Sequence, residues 1–329
     1  MKILFVAMKY DYGDPSRGLG IEHHVFYETF KKMGHKIIYF DFMQELKKIG
    51  KKAMNKKLLK VVDKESPDLL FSVLYQDQLE KQTINQISKT KTITLNWFCD
   101  DTWRFDNFSK YWAPNYNWVV TTDQEVVKKY HQIGYKNVIA SNWGFNHHSY
   151  SPPEKINYRY DISFIGQPHG YRKKYLNYLK TKGIKVDCWG QGWPSGRLDF
   201  KQMYDVFSHS KININFTGTS KQTQGINGIL RRLGLVKPIR QMKARLFEVP
   251  GSGGFLLTEE INGLDKFFNL GKEIATFGNK KDLLSKVNYF LQHDSERKTI
   301  AKNGRKRVLK DHTYEKRLSN LVKIISSSQ

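Results

Sequence analysis

The sequence predicts an α/β fold of two doubly wound parallel-sheet domains facing a central cleft. Three observations carry this. Short apolar runs alternate with amphipathic stretches along most of the chain. The alternation starts twice, on either side of a stretch with Pro152 and Pro153. The second series ends in helical sequence, expected to cross back onto the first domain. At 329 residues the chain has room for two cores. The expected division is 1–150, with 313–329 packing back on it, and 151–312.

In the first series, Lys2 to Met8 reads as a buried strand, and the loop to Gly20 holds Asp11, Asp14, Arg17 and Gly18. Ile21 to Met33 has helical spacing and stops at Gly34, and Lys36 to Phe40 is the next strand. This is a βαβ start without the dinucleotide fingerprint, because its glycines fall late and close together. Gln44 to Lys64 reads as helix. Leu69 to Leu74, Thr92 to Phe98, Trp118 to Thr122 and Val138 to Ala140 read as strands, with a helix from Gln124 to Ile133. Asn146 to Arg159 reads as a linker carrying His147 and His148.

In the second series, Tyr160 to Ile165, Lys185 to Trp189 and Lys211 to Phe216 are expected strands, and Tyr171 to Thr181 and Asp199 to Ser208 expected helices. Thr217 to Arg240 reads as a long loop with Arg231 and Arg232 at its middle. Helix from Ile261 to Phe268, a strand from Glu273 to Phe277, and helices over Asp282–Gln292, Ser295–Lys310 and Tyr314–Ile325 complete the chain. Asn303-Gly304 is the expected kink.

Composition narrows the partners. The net charge of +24 favours anionic ones: nucleotide sugars, phospholipid surfaces, acidic glycans or nucleic acid. The lysines are scattered, so compositional drift is the bland alternative. Cys99 and Cys188 have neither metal nor disulfide spacing, which fits a reducing cytoplasm. No apolar run is long enough to span a bilayer, so membrane contact is expected to be peripheral, at the inner face.

The chemistry concentrates in Lys243 to Thr258. Lys243 and Arg245 supply cations, and Glu248 a carboxylate three residues on, on the same helical face. Gly251 to Gly254 form a small-residue turn ahead of Phe255 to Leu257. Cations suit a diphosphate, a carboxylate suits ribose hydroxyls, and bare glycines let a ligand approach the backbone. A surface helix with a salt bridge is the bland alternative.

Taken together, the chain resembles the GT-B glycosyltransferases, with two Rossmann-like domains, and more closely the spore-maturation-type (CgeB-like) group of the family 1/4 clan. The likeness rests on Trp97-Phe98-Cys99-Asp100-Asp101, Lys243-x-Arg245-x-x-Glu248 with Gly253, Gly271 to Ile274, and Glu296-Arg297, Asn303-Gly304 and His312-Thr313-Tyr314-x-x-Arg317. It implies a nucleotide-diphosphate-sugar donor, a UDP-sugar first, held by the second domain with no metal required. Glu248 would accept from the ribose, and Arg245 and Lys243 would stabilise the leaving diphosphate. The acceptor, a glycan, lipid-linked glycan or protein, would sit on the first domain. Many retaining members carry a second glutamate at a fixed spacing before the first. Here that position is Arg240, so retention and inversion both stay open.

For an acceptor base, Asp100 and Asp101 follow a strand, as a base or as a helix cap. His24, beside His23, is a base candidate, or a histidine tolerated on a polar helix side; Asp14 is a further one. Gly18 in the first domain, and Gly166 and Gly190 in the second, are expected to bare backbone near the donor, or to make plain turns. Trp193 or a neighbour is expected beside the nucleotide base. Arg231, Arg232, Lys237 and Arg240 extend the basic region for an anionic acceptor. Two other functions fit the charge: a nucleic-acid base glycosyltransferase, less favoured because aromatics and lysines do not interleave, and a non-catalytic nucleotide-binding scaffold.

Overall fold

The computed structural model describes residues 1–219 and 239–327. The chain divides into two compact units, Met1–Asn142 with Tyr314–Gln329, and Trp143–Thr313.

The first unit carries six parallel strands, β1 (Lys2–Val6), β2 (Lys36–Phe40), β3 (Leu69–Ser72), β4 (Ile93–Phe98), β5 (Trp118–Thr121) and β6 (Val138–Ala140), in the order β2-β1-β3-β4-β5-β6. β1 is central, so Ile3 to Val6 are fully buried on both faces, as their unbroken apolar run requires. The strand order reverses between β1 and β3. In such sheets a ligand crevice opens there, beyond the strands' carboxyl ends. The loops after β1 and β3 meet at that point, with the Tyr12 and Tyr75 rings edge to face at 5.4 Å.

Helices flank this sheet: α1 (Glu28–Lys32), α2 (Phe42–Glu65), α3 (Lys81–Ser88), α4 (Asp101–Arg104), α5 (Ser109–Trp112) and α6 (Val126–Gln132). The expected helix from Ile21 is helical from its first residue to Lys32, with a π-turn, His23–Tyr27, ahead of α1. Asp41 caps α2 through the N–H groups of Met43 and Gln44.

The second unit has five parallel strands, β7 (Tyr160–Ile165), β8 (Asp187–Trp189), β9 (Ser210–Asn215), β10 (Leu256–Glu259) and β11 (Ala275–Phe277), in the order β11-β10-β9-β7-β8. Its helices are α7 (Arg172–Thr181), α8 (Phe200–Ser208), α9 (Arg245–Gly251), α10 (Lys280–Gln292) and α11 (Asp294–Asp311). Here the order reverses between β7 and β9. The core between sheet and helices gathers Ile162, Phe164, Ile212, Phe216, Leu257 and Phe277. The last helix, α12 (Tyr314–Ser326), belongs to the first unit, where the Tyr314 ring meets Phe26 at 5.7 Å.

Two expectations are corrected. Ile261–Phe268 is no helix: a single tight turn, Leu264–Lys266, follows Gly263, whose φ of +79° ends any helical run. Asn303-Gly304 does not break α11, which runs unbroken to Asp311. Gly304 is needed for another reason, since a Cβ there would strike the Glu273 backbone. Of the expected loop from Thr217 to Arg240, most lies outside the described residues, including Arg231, Arg232 and Lys237. Its two stems are described, and they pair antiparallel at Gly218 and Arg240.

Candidate functional site

The second unit's reversal point gathers most of the residues singled out in the sequence. Beyond β9, Thr219 N–H donates to Ile239 O at 3.1 Å and Gln241 N–H to Thr217 O at 3.1 Å, closing the stem. That delivers Arg240 and Lys243 to the strand ends. Arg245 opens α9, and Glu248 follows one turn later, fully buried and ion-paired with it. The Arg245 guanidinium also lies 5.6 Å from the Phe207 ring centre.

This pair is incompletely satisfied. Arg245 Nη1 donates to Glu248 Oε2, but Glu248 Oε1 and Arg245 Nε are buried with no hydrogen-bond partner among the described residues. An unpaired buried polar group costs about 1–3 kcal/mol. One is a carboxylate oxygen able to accept from a hydroxyl, the other a guanidinium N–H able to donate.

Lys243 Nζ donates to Phe216 O at 3.0 Å and Gly218 O at 2.5 Å. A residue missed in the sequence, Arg172, reaches the same carbonyl: its Nη2 donates to Gly218 O at 3.0 Å. Arg172 is 8% exposed, and burial pulls its guanidinium down, with Arg245 adding a smaller push in the same direction. His169 lies 3.4 Å from Arg172 Nη1, and its imidazole is pulled down to about 4 by burial, then by Arg172 and Lys243. It is therefore neutral at pH 7.

Arg240 Nη2 pairs at 3.0 Å with Glu259, another carboxylate missed in the sequence, at the carboxyl end of β10. Among the described residues, Arg172, Arg240, Lys243 and Arg245 face two carboxylates, Glu248 and Glu259. The cluster thus carries an excess of two positive charges.

The glycines divide by cause. Gly190, at φ +131°, presses on Gly166: a Cβ on it would fall 2.7 Å from Gly166 O. Trp193 Nε1 donates to that same oxygen at 2.7 Å. Backbone packing is thus sufficient reason for Gly190, and the Phe164 ring, 2.9 Å from a Cβ at Gly166, for Gly166. They still shape the loop from Gly166 to Gly170, which Arg172 ties to the cations through Gln167 O at 3.3 Å. Gly253, at φ +86°, ends α9, where a Cβ would meet Pro152 at 3.3 Å. A termination role accounts for it.

In the first unit the candidates lie on the loops and helix starts that follow the strands. Gly18 is left-handed at φ +79°, and a Cβ there would meet nothing within 4 Å. Its carbonyl accepts from Asp11 N–H at 3.0 Å, and Asp11 pairs with Arg17 at 2.7 Å. His24 sits in the π-turn, its imidazole drawn down to about 4 by burial and then by His23, so it is neutral at pH 7. The carboxylates after β4 part company. Asp101 is 1% exposed and accepts from Ser109 Oγ at 2.5 Å and Tyr130 Oη at 2.7 Å. Burial lifts it to about 6 against those hydrogen bonds. Both its oxygens are committed inside the unit, which runs against its reading as a base. Asp100 stays half-buried and makes no side-chain cap hydrogen bond to α4.

Glu22 was not singled out in the sequence. Burial lifts its carboxyl to about 7, against its own backbone N–H and with Asp11 nearby adding to the rise. It also bears electrostatically on Cys99 at the end of β4 and Tyr39 on β2. Glu22 lies in the first helical turn after the loop that follows β1, and a carboxyl that titrates near neutrality is able to accept a proton.

The family model described as "Glycosyl transferase-like" matches residues 172–323, which hold all four cations and both carboxylates of the cluster. No curated protein matches the chain. Among solved structures, sucrose-phosphate synthase from Thermosynechococcus elongatus superposes with a TM-score of 0.68 at 10% identity, covering 100% of both chains. Anabaena Alr3699/HepE in complex with UDP-glucose gives 0.65 at 12% identity, over 99% of this chain and 100% of that one. A glycosyltransferase from Rickettsia africae gives 0.63 at 12%, over 98% and 97%. These likenesses establish the fold as that of GT-B glycosyltransferases. With a glycosyl transferase-like domain on that fold, the chain is an enzyme of the transferase class.

Proposed function

We propose that the chain transfers a sugar from a nucleotide-diphosphate-sugar donor held by the second unit, and that it belongs to the spore-maturation-type (CgeB-like) group. One observation carries this reading: a buried carboxylate oxygen without a partner, Glu248 Oε1, stands beside cations with an excess of two positive charges. A nucleotide-diphosphate sugar brings the complement, ribose hydroxyls and two phosphate charges. Glu248 Oε1 accepts from the ribose. Arg245, Lys243 and Arg172 face the diphosphate. When the bond from the sugar's anomeric carbon to phosphate oxygen breaks, the electron pair leaves with the diphosphate, and these cations stabilise it there. That role is the one a divalent ion would fill, which supports a metal-independent reaction. UDP is favoured as the nucleotide because Alr3699/HepE is complexed with UDP and UDP-glucose.

The acceptor, a glycan, lipid-linked glycan or protein, is assigned to the first unit. Asp100, Glu22 and neutral His24 are the groups there that can take its hydroxyl proton. The +24 charge supports peripheral contact with an anionic membrane. No helix among the described residues is long and apolar enough to cross one.

A thermal-shift panel of UDP-, GDP-, ADP- and CMP-linked sugars tests the donor reading. A ligand at a hundred times its Kd stabilises by about 2.7 kcal/mol. One nucleotide class should raise Tm by a few degrees; no shift with any of them would refute the reading.

A further inference from the structure

Glu259 lies at the carboxyl end of β10 and is 2% exposed. Its Oε2 accepts from Thr217 N–H at 3.0 Å, Thr217 Oγ1 at 3.0 Å and the Tyr171 hydroxyl. Its Oε1 accepts from Arg240 at 3.0 Å. Four donors thus converge on one carboxylate. They come from three segments: the start of α7, the exit of β9 and the returning stem.

The network leads to one residue, Gly218. The Tyr171 hydroxyl, donating to Glu259, also accepts from Gly218 N–H at 3.0 Å. Thr217 immediately precedes Gly218. The Gly218 carbonyl is the shared anchor of Arg172, at 3.0 Å, and Lys243, at 2.5 Å. Gly218 is therefore gripped at its N–H by a group that Glu259 orients, and loaded at its carbonyl by two cations. Arg172 also feels the Glu259 charge directly, which opposes the effect of its burial.

We propose that Glu259 is a positioning residue of the transfer site: through Tyr171 and Thr217 it fixes Gly218, and through the Gly218 carbonyl it aims Arg172 and Lys243 at the donor's diphosphate. This rests on the donor reading given above. Transfer demands that cations be placed before the leaving group forms, since misplacement by about 1 Å can cost on the order of 100-fold. A lysine and an arginine are long and rotamer-rich. One carbonyl held from both sides gives them a common reference point.

Stability alone explains the arrangement less well. Buried ionic networks are often no more stabilising than apolar packing. This one joins segments at the strand ends, where the strand order reverses, and its Tyr171 ring also packs against the hydrophobic core.

Glu259→Gln and Tyr171→Phe, singly and together, test the assignment on the full chain, with UDP titrated calorimetrically, donor kcat and KM measured, and Tm recorded. Gln places an amide N–H₂ among donors and breaks the convergence. The folded Glu259→Gln chain should bind UDP about tenfold more weakly and lose kcat, as removal of a ligand-orienting partner does elsewhere. Tyr171→Phe should move both in the same direction by less. The double variant should be no worse than Glu259→Gln, because both act through Gly218. A lower Tm with unchanged UDP affinity in the folded single variants would overturn the assignment and leave a stabilising role. Additive losses would overturn the route through Tyr171. If Glu259→Gln does not fold, Tyr171→Phe decides alone. A wild-type chain that binds no nucleotide diphosphate overturns the donor reading and this assignment together. Wild-type binding with an unaffected Glu259→Gln overturns this assignment alone.

Discussion

Arg245 and Glu248 stand one helical turn apart and are ion-paired, yet each keeps a buried polar atom without a hydrogen-bond partner among the described residues. A pair built for stability would be closed on both sides. The open side gives Glu248 the stronger expectation. Glu248→Ala should fold, because it removes one half-satisfied carboxylate, and should weaken UDP binding by about 1.5–3 kcal/mol, the size of a hydrogen bond to a charged group. Calorimetric titration of UDP with the variant measures it.

Arg245→Met separates binding from chemistry. The thioether keeps contact with the Phe207 ring but has no charge. If Arg245 meets the leaving diphosphate, kcat should fall about 100- to 1000-fold, as when one transition-state donor is removed. KM should change far less. Steady-state kinetics with donor in excess show the split.

The carboxyl of Glu22 gives a pH expectation. Its ordinary value is 4.5 and burial lifts it to about 7 in the folded chain. Between those values the folded state binds more protons than the unfolded one, so this group's contribution favours folding most below about 4.5 and is lost as pH rises through about 7. Glu22→Gln should remove that loss, and its stability should gain on the wild type as pH rises across the window. Urea unfolding of both proteins at several pH values follows it.

Gly190→Ala probes the turn beside β7. It combines a left-handed φ of +131° with a Cβ 2.7 Å from Gly166 O. Strain and overpacking of this kind cost about 1–3 kcal/mol each. Thermal unfolding should show a Tm lower by several degrees. Gly18→Ala, with open space around its Cβ, carries the φ strain alone and should cost less.

Much of the fold was legible because strand and helix patterning in a parallel sheet is strong: Ile3 to Val6 of β1 and Leu69 to Phe71 of β3 are unbroken apolar runs. Arg245 and Glu248 were legible because their spacing is local. Arg172 was not, since Arg172-Lys173-Lys174 reads as an ordinary basic helix start. Its burial depends on Gly218, 46 residues away. Glu259, beside Glu260, reads as a solvated strand end. A signal did exist, because a carboxylate ending a buried strand lies where such sheets bind ligands. Asp101 opens α4 just past β4, and Ser109 and Tyr130, 8 and 29 residues on, turn it inward. The Ile261–Phe268 segment failed on one residue, since helical spacing does not reveal that Gly263 adopts a positive φ.

The central claim is that the second unit's cations and Glu248 grip a sugar donor by its diphosphate and ribose. The most direct measurement is calorimetric titration of UDP-glucose into the wild type, Arg245→Met and Glu248→Ala, with folding of each checked by Tm. Saturable binding by the wild type, sharply weakened in folded Glu248→Ala and far less changed in folded Arg245→Met, is the expected result. Equal affinity in all three would contradict it.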